Sequence, residues 1–197
     1  MRAVGIDLAG VESRVTGLCL LRDRYVETLT VYRDDEIVSS TVSFNPQIVA
    51  IDAPLALPIG KGLNSKGCVR SCDRELWRMG IRFFPINFAG MRKLTERGIR
   101  IRLILESRGL KVIETYPGGA QDILKLPRSK SDPEGLRIML RKMFKLYGSI
   151  DFKLSTHELD AITCAVIGRL HLEGKTLEIG DPKEILMVLP KPGGLIV

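Results

Sequence analysis

Arg2-Ala3-Val4-Gly5-Ile6-Asp7-Leu8 and, further along, Gln47-Ile48-Val49-Ala50-Ile51-Asp52-Ala53 are the two stretches that decide the fold. Both are nearly unbroken apolar runs, and both close on an aspartate. The first reads as a short buried strand broken by Gly10. The second reads as a strand buried on both faces, as in a parallel sheet, and Pro54 and Pro58 stop it. Between them, residues 14–21 and 25–32 are β-branched and apolar, separated by the charged break Arg22-Asp23-Arg24. With the first run they make a three-stranded antiparallel meander. Residues 34–40 form a short helix before the fourth strand.

Beyond Ala53 the pattern alternates. Residues 54–90 are rich in Gly and Pro around one amphipathic stretch, 68–79. Residues 91–108 are helical, with Gly98 as a weak point. Residues 110–116 are a strand. Residues 133–147 are a helix that starts at Ser131 or Asp132, with Pro133 in its first turn. Ser155-Thr156-His157-Glu158 is a capping box, and its helix runs to Glu173 with Gly174 as its stop. Residues 177–190 add a turn and a short strand. The expectation is one α/β domain over residues 1–197, with a mixed five-stranded sheet of meander plus parallel strands and flanking helices. A basic helical insertion occupies about residues 54–108. This order suits a ribonuclease-H-like fold better than a Rossmann fold, whose Gly-x-Gly-x-x-Gly turn after the first strand is missing.

Composition narrows the class. The chain has 197 residues, 45% hydrophobic and 27% charged, which is globular rather than disordered. No apolar run reaches the ~18 residues of a membrane span. The N-terminus has one base and then an acid, without the apolar stretch of a signal peptide, so a cytoplasmic location is expected. Scarce Asn and Gln lean towards a thermophile. Cys19 and Cys164 sit in apolar runs and read as core thiols. Cys68-x-x-x-Cys72 lacks a second pair to complete a zinc site and reads as packing thiols.

The two strand-terminal acids carry the chemistry. A carboxylate inside an apolar strand is costly unless paired, hydrogen-bonded or bound to metal. One such acid is commonly a loop cap. Two on neighbouring strands repel, and a divalent cation is the simplest compensation. A third acid comes from the last helix, where Asp160, Cys164 and Ile167 recur on one face. The other reading of Asp160 is a first-turn acid favoured by the helix dipole. His157, three residues earlier, lies on the same side. Oxygen ligands without cysteine or clustered histidine suit Mg²⁺ or Mn²⁺ rather than zinc.

Five segments then occur in order: Gly5-Ile6-Asp7-Leu8-Ala9, Ile51-Asp52-Ala53-Pro54-Leu55, Cys72-Asp73-Arg74-Glu75-Leu76, Val112-Ile113-Glu114-Thr115-Tyr116-Pro117 and His157-Glu158-Leu159-Asp160-Ala161. Together they resemble domain-of-unknown-function family 429, commonly labelled predicted ribonuclease-H-like nucleases, over nearly the whole chain. More distantly, His157-x-x-Asp160 is similar to the C-terminal helix of Holliday-junction resolvases. The resemblance implies Asp7, Asp52 and Asp160 as metal ligands, with His157 assisting catalysis. The resolvase pattern prefers Glu where this chain has Asp52. Ribonuclease H proper has a further glutamate on the helix after the meander, and Glu36 lies nearby without a ligand-like context. Glu114, ending the fifth strand, is either a fourth metal ligand or the partner of an arginine in the insertion.

The net charge of +7 has an address. Residues 66–108 hold eleven Lys and Arg, from Lys66 to Arg108, against four acids, so the surplus of this segment equals that of the chain. Arg70, Arg74 and Arg78 recur every four residues, on one helix face. They are candidate phosphate-binding residues, or else a solvated face paired with Asp73 and Glu75. Lys130 opens a loop and is either a phosphate contact or a solvated lysine. Trp77 and Phe83-Phe84-Pro85 can stack on bases, but a hydrophobic anchor for the insertion is the expected role.

The leading expectation is therefore a Mg²⁺- or Mn²⁺-dependent nuclease. Two alternatives come from other classes. One is a phosphotransferase of the actin-like superfold acting on a small metabolite. The other is a non-catalytic nucleic-acid-binding module.

Overall fold

The computed structural model describes residues 1–63, 65 and 68–193, without the side chain of Ala89. Lys66 therefore lies outside the described residues. Three strands, β1 (Arg2–Asp7), β2 (Thr16–Arg22) and β3 (Tyr25–Val31), form the antiparallel meander. Helix α1 (Asp34–Phe44) leads to β4 (Ile48–Asp52), which lies parallel to β1. Helices α2 (Ser71–Arg78) and α3 (Ala89–Ser107) follow, then β5 (Val112–Thr115), parallel to β4. Helices α4 (Pro117–Ile123) and α5 (Pro133–Phe144) precede the two-residue strand β6 (Tyr147–Gly148). The chain ends with α6 (Thr156–Leu172), β7 (Thr176–Ile179) and β8 (Met187–Pro190).

The sheet order is β6-β3-β2-β1-β4-β5-β8-β7. The expected mixed five-stranded arrangement is its centre. Three short strands extend it: β6 beside β3, and the antiparallel pair β7/β8 beside β5. Among the described residues no helix is long and apolar enough to cross a membrane.

Both faces are covered, which is why the strands read as continuous apolar runs. Val4, Ile6, Val49 and Ile51 face a core with Ile37, Ile101 and Leu105 from α1 and α3. Ala3, Ile48 and Ala50 point the other way, into a core built on α6 with α4 and α5. Helix α6 reaches the sheet because glycines lie beneath it. A Cβ on Gly5 would stand 2.0 Å from the carbonyl oxygen of Ala161, and one on Gly17 would stand 2.2 Å from that of His157. Any side chain at either position would push the helix off the sheet.

Helix α6 starts where its capping box places it. Ser155 Oγ accepts from the N–H of Glu158 at 3.3 Å, and the N–H of Ser155 donates to Glu158 Oε2 at 2.9 Å. Helix α5 is capped by Asp132, which accepts from the N–H of Gly135 at 2.8 Å. Helix α4 is absent from the sequence reading. Gly118-Gly119 after Pro117 is poor helix-forming sequence, and tertiary burial of residues 117–121 outweighs that propensity.

The insertion is not a separate lobe. Cys72, Leu76 and Ile81 pack on Ile179, Met187 and Leu189 of the β7/β8 pair. Buried Glu184 accepts from the N–H groups of Ile59 at 3.0 Å and Ser71 at 2.7 Å, fixing both ends of the loop before α2.

Candidate active site

Asp7 and Asp52 end adjacent parallel strands and are paired in register, so their Cα atoms are about 4.8 Å apart. Strand alternation turns both towards α6, on the side opposite Ile6 and Ile51. Their position at the carboxyl ends of the strands is where open α/β sheets commonly place ligands.

Helix α6 brings the other two candidates. His157 Nδ1 lies 2.7 Å from Asp7 Oδ2, and the imidazole is 49% exposed. Asp160 is held from both sides: Gln121 Nε2 donates to Oδ1 and Ser129 Oγ donates to Oδ2, each at 2.8 Å. Cys164 and Ile167, further along the same face, are buried. The structure thus gathers Asp7, Asp52, Asp160 and His157 at one end of the sheet.

The electrostatics show what this costs. Burial, then repulsion from Asp7, Asp160 and Glu114, pushes the Asp52 carboxyl well above the usual carboxylate range. Among the described residues no hydrogen-bond donor meets it. Burial and the charge of Asp7 push Asp160 up to about 6, against the opposing pull of Gln121 and Ser129. The hydrogen bond to Asp7 raises His157. Exposed Lys130 opposes the accumulated negative charge, since its charge favours the ionised forms of Asp52 and Asp160 and disfavours imidazolium at His157. Beside Asp160, the buried Oε1 of Gln121 has no partner among the described residues.

Those observations bear on a cation. Carboxylate oxygens with unmet negative charge, next to an orphaned amide oxygen, form a hard-donor set suited to Mg²⁺ or Mn²⁺. Among the described residues no three His, Cys, Asp or Glu side chains are grouped closely enough to hold a metal ion.

Glu114 is placed elsewhere. Its Oε1 and Oε2 accept from Arg70 Nη2 and Nη1 at 2.5 and 2.7 Å, and Oε2 also accepts from the N–H of Leu55 at 2.7 Å. Both side chains are 1% exposed. Of the two readings of Glu114, the arginine partner is the one formed, because a bidentate buried pair engages both oxygens. Arg70 is corrected for the same reason. It precedes α2 as its N-cap and is a core residue, not part of an exposed face with Arg74 and Arg78.

Arg74 and Arg78 are exposed on α2. Three other bases of the segment are structural. Arg97 is buried, pairs with Asp34 at 2.7 Å and donates to the carbonyls of Ala9 and Tyr32. Arg100 pairs with Asp34, and Arg102 with Glu106. Glu36 caps α1, accepting from the N–H groups of Tyr32 and Arg33 at 2.8 and 2.9 Å. All four cysteines are free buried thiols.

Sequence reasoning missed Gln121 and Ser129, which orient Asp160, because neither lies in a periodic or motif-like context. Tyr116 is expected from the sequence at the end of the fifth strand beside the site, but its partners are not. Tyr116 Oη donates to the carbonyl of Arg82 at 2.7 Å and accepts from Arg128 Nη1 at 3.1 Å, while Arg128 pairs with Asp122. The anchoring role expected of the insertion aromatics applies only to Phe83, which packs on the Cys72 and Leu76 cluster. Trp77 and Phe84 are exposed.

The comparisons with known proteins bear on the family and the fold. A family model described as "Protein of unknown function (DUF429)" matches residues 5–185. No curated protein matches the chain. Among solved structures, T. thermophilus RuvC in complex with a Holliday junction substrate is similar at 14% identity and a TM-score of 0.55, covering 88% of this chain and 97% of that one. A second Thermus thermophilus RuvC structure is similar at 15% identity with the same coverage and a TM-score of 0.52. At such identities the likeness shows the fold.

Proposed function

We propose, from the premise that this chain belongs to the DUF429 family and has the fold of RuvC, that it hydrolyses phosphodiester bonds in nucleic acid with Mg²⁺ or Mn²⁺. One observation carries the reading: Asp7 and Asp52 stand in register at the ends of adjacent strands, with Asp160 and His157 brought to them by α6. A RuvC structure that holds a Holliday junction substrate supports nucleic acid as the substrate class.

Asp7, Asp52 and Asp160 would hold the cation. The chemistry such an ion supplies is activation of a water molecule and neutralisation of charge on the phosphate. The protein supplies the rest. Gln121 and Ser129 fix the orientation of Asp160. Asp7 uses Oδ2 to orient His157, which leaves Oδ1 for the ion. Because Nδ1 of His157 is engaged, Nε2 is the ring nitrogen available to hold or move a proton at a water or leaving oxygen. Lys130 supplies positive charge beside the acids for an incoming phosphate. The Arg70–Glu114 pair holds Leu55 in place immediately after β4 and so keeps the chain behind Asp52 fixed.

The test is cleavage of labelled single-stranded, duplex and four-way-junction DNA and RNA with Mn²⁺, Mg²⁺ or chelator. Metal-dependent cleavage that disappears in Asp7→Asn, with an unchanged circular dichroism spectrum, is expected. Unchanged turnover in purified Asp7→Asn overturns the reading. So does salt-sensitive binding without any metal-dependent cleavage.

A further inference from the structure

We infer that the insertion carries a base-stacking platform, formed by Trp77 with Phe84 and Phe88, so that the substrate enters as a strand with unstacked bases rather than as an uninterrupted duplex. The inference rests on the proposed nuclease reading and names its substrate class.

Three aromatic side chains within a short span are turned outwards. Trp77 is 76% exposed, Phe84 68% and Phe88 63%. Single exposed apolar residues are ordinary, but two of these are not independent. The rings of Phe84 and Phe88 stack with centroids 6.0 Å apart and planes at 28°. The segment is also able to bury an aromatic, since Phe83 packs inwards against the Cys72 and Leu76 cluster.

The platform is tied to the acids. The carbonyl of Arg82 accepts from Tyr116 Oη at 2.7 Å. Tyr116 directly follows Thr115, which is paired in register with Asp52. Arg128 braces the tyrosine from the other side, donating to its Oη and lying 5.6 Å over its ring. The loop bearing Phe84 is thereby fastened to the strand ends that carry the candidate site.

Charge identifies the occupant. Arg74, Arg78 and Arg82 are exposed and form no ion pair with a carboxylate among the described residues. Cations that track a phosphate backbone, interleaved with rings that stack on successive bases, make a surface suited to single strands. An intact duplex hides its base faces, whereas single strands, ends and junctions display them. A protein partner would have to supply acids for the arginines and apolar cover for the rings, whereas the loop bearing Phe84 is fastened to the strand ends that carry the acids of the proposed phosphodiesterase site.

The chain contains a single tryptophan, so fluorescence reports on the α2 part of the proposed platform through Trp77. The experiment titrates the Asp7→Asn protein, kept in chelator to prevent cleavage, with an oligo-dT strand and with a blunt duplex of equal length. The strand is expected to quench Trp77 saturably and to bind about tenfold more tightly than the duplex. Phe84→Ser with Phe88→Ser is expected to lose about tenfold in strand affinity, the scale of one base–aromatic stack, with an unchanged thermal midpoint. Equal binding of strand and duplex, without quenching and without effect of the double variant, overturns the platform and leaves the nuclease reading standing. Binding of neither polymer overturns both. Quenching and strand preference, with no metal-dependent cleavage by the wild-type chain, support the platform and overturn the nuclease reading. Self-association that is lost in the double variant, in place of strand binding, reassigns the surface to a protein interface and overturns the inference.

Discussion

His157 Nδ1 lies 2.7 Å from Asp7 Oδ2, a contact that joins the last helix to the first strand. It gives the two residues separable roles. Asp7→Asn removes a charge proposed to hold the cation and is expected to abolish hydrolysis. His157→Ala removes a proton-handling group and is expected to lower kcat about a hundredfold, within the range of general acid–base effects. Cation binding, read from the thermal midpoint with and without Mn²⁺, should survive in His157→Ala and vanish in Asp7→Asn. Loss of the Mn²⁺ response in both variants would make His157 a structural part of the cation site.

Asp52 makes the metal-free protein less stable than it could be. Its carboxylate meets no donor among the described residues and faces Asp7 and Asp160. The sign follows from the raised values. An acid held above its unfolded pKa binds more protons when folded, so stability falls as pH rises between the two. For Asp160 that window runs from about 3.9 to about 6. Asp52→Asn is therefore expected to stabilise the protein in chelator at pH 8 by about 1 kcal/mol, the scale of relieving a strained functional site. The gain should shrink towards pH 4. Mn²⁺ should raise the midpoint of wild type but not of the variant. Thermal melts across pH, with and without Mn²⁺, check each part.

The Arg70–Glu114 pair makes a different prediction. Both side chains are buried, so removing Glu114 takes away both bidentate bonds of Arg70 and leaves that buried charge only the longer contact to Asp73 at 3.6 Å. Glu114→Gln is expected to cost about 3–5 kcal/mol, measured by urea unfolding. Arg70→Met with Glu114→Gln should cost less than the two single changes added together. Were Glu114 a metal ligand instead, Glu114→Gln would abolish the Mn²⁺ response and leave stability nearly unchanged.

Much of this architecture is written locally. Apolar runs ending on Asp7 and Asp52 mark buried strands, Ser155 and Glu158 mark the start of α6, and Asp160 shares a face with Cys164 and Ile167. What stays hidden depends on what covers each face. The spacing of Arg70, Arg74 and Arg78 shows that they align but not that β5 places Glu114 opposite Arg70. Likewise Trp77 and Phe83 are alike as residue types, and only the packing of β7 and β8 on α2 decides which ring is covered. Helix α4 escaped because its glycines oppose helix formation, and Gln121 on it became visible only through its bond to Asp160.

Gly5 lets α6 lie close enough to place His157 and Asp160 over the strand ends. A Cβ there would be 2.0 Å from the carbonyl oxygen of Ala161 and 2.3 Å from the nitrogen of Ala165. Both are helix backbone and cannot rotate away. Gly5→Ala is expected to cost about 3 kcal/mol, the upper part of the usual overpacking range. The displaced helix should also weaken the Mn²⁺ response at temperatures where the variant is still folded. Full retention of that response in a destabilised variant would show that the site does not depend on the seating of α6.

Glu36 separates a structural acid from a functional one. The N–H groups of Arg33 and Tyr32 hold its carboxyl below the usual range. A group whose folded pKa is depressed adds stability above its unfolded value, about 4.3, and loses it as pH falls through the folded value. Glu36→Gln should therefore lower the thermal midpoint slightly at pH 7, since solvent screens so exposed a carboxylate. At pH 3 and below the difference should close, because the wild-type side chain is then increasingly protonated too. Its Mn²⁺ response at pH 7 should match wild type, since a carboxylate that accepts two backbone N–H groups at the start of α1 is occupied as a helix cap. A Mn²⁺ response lost in Glu36→Gln would instead place this residue in the cation site with Asp7, Asp52 and Asp160.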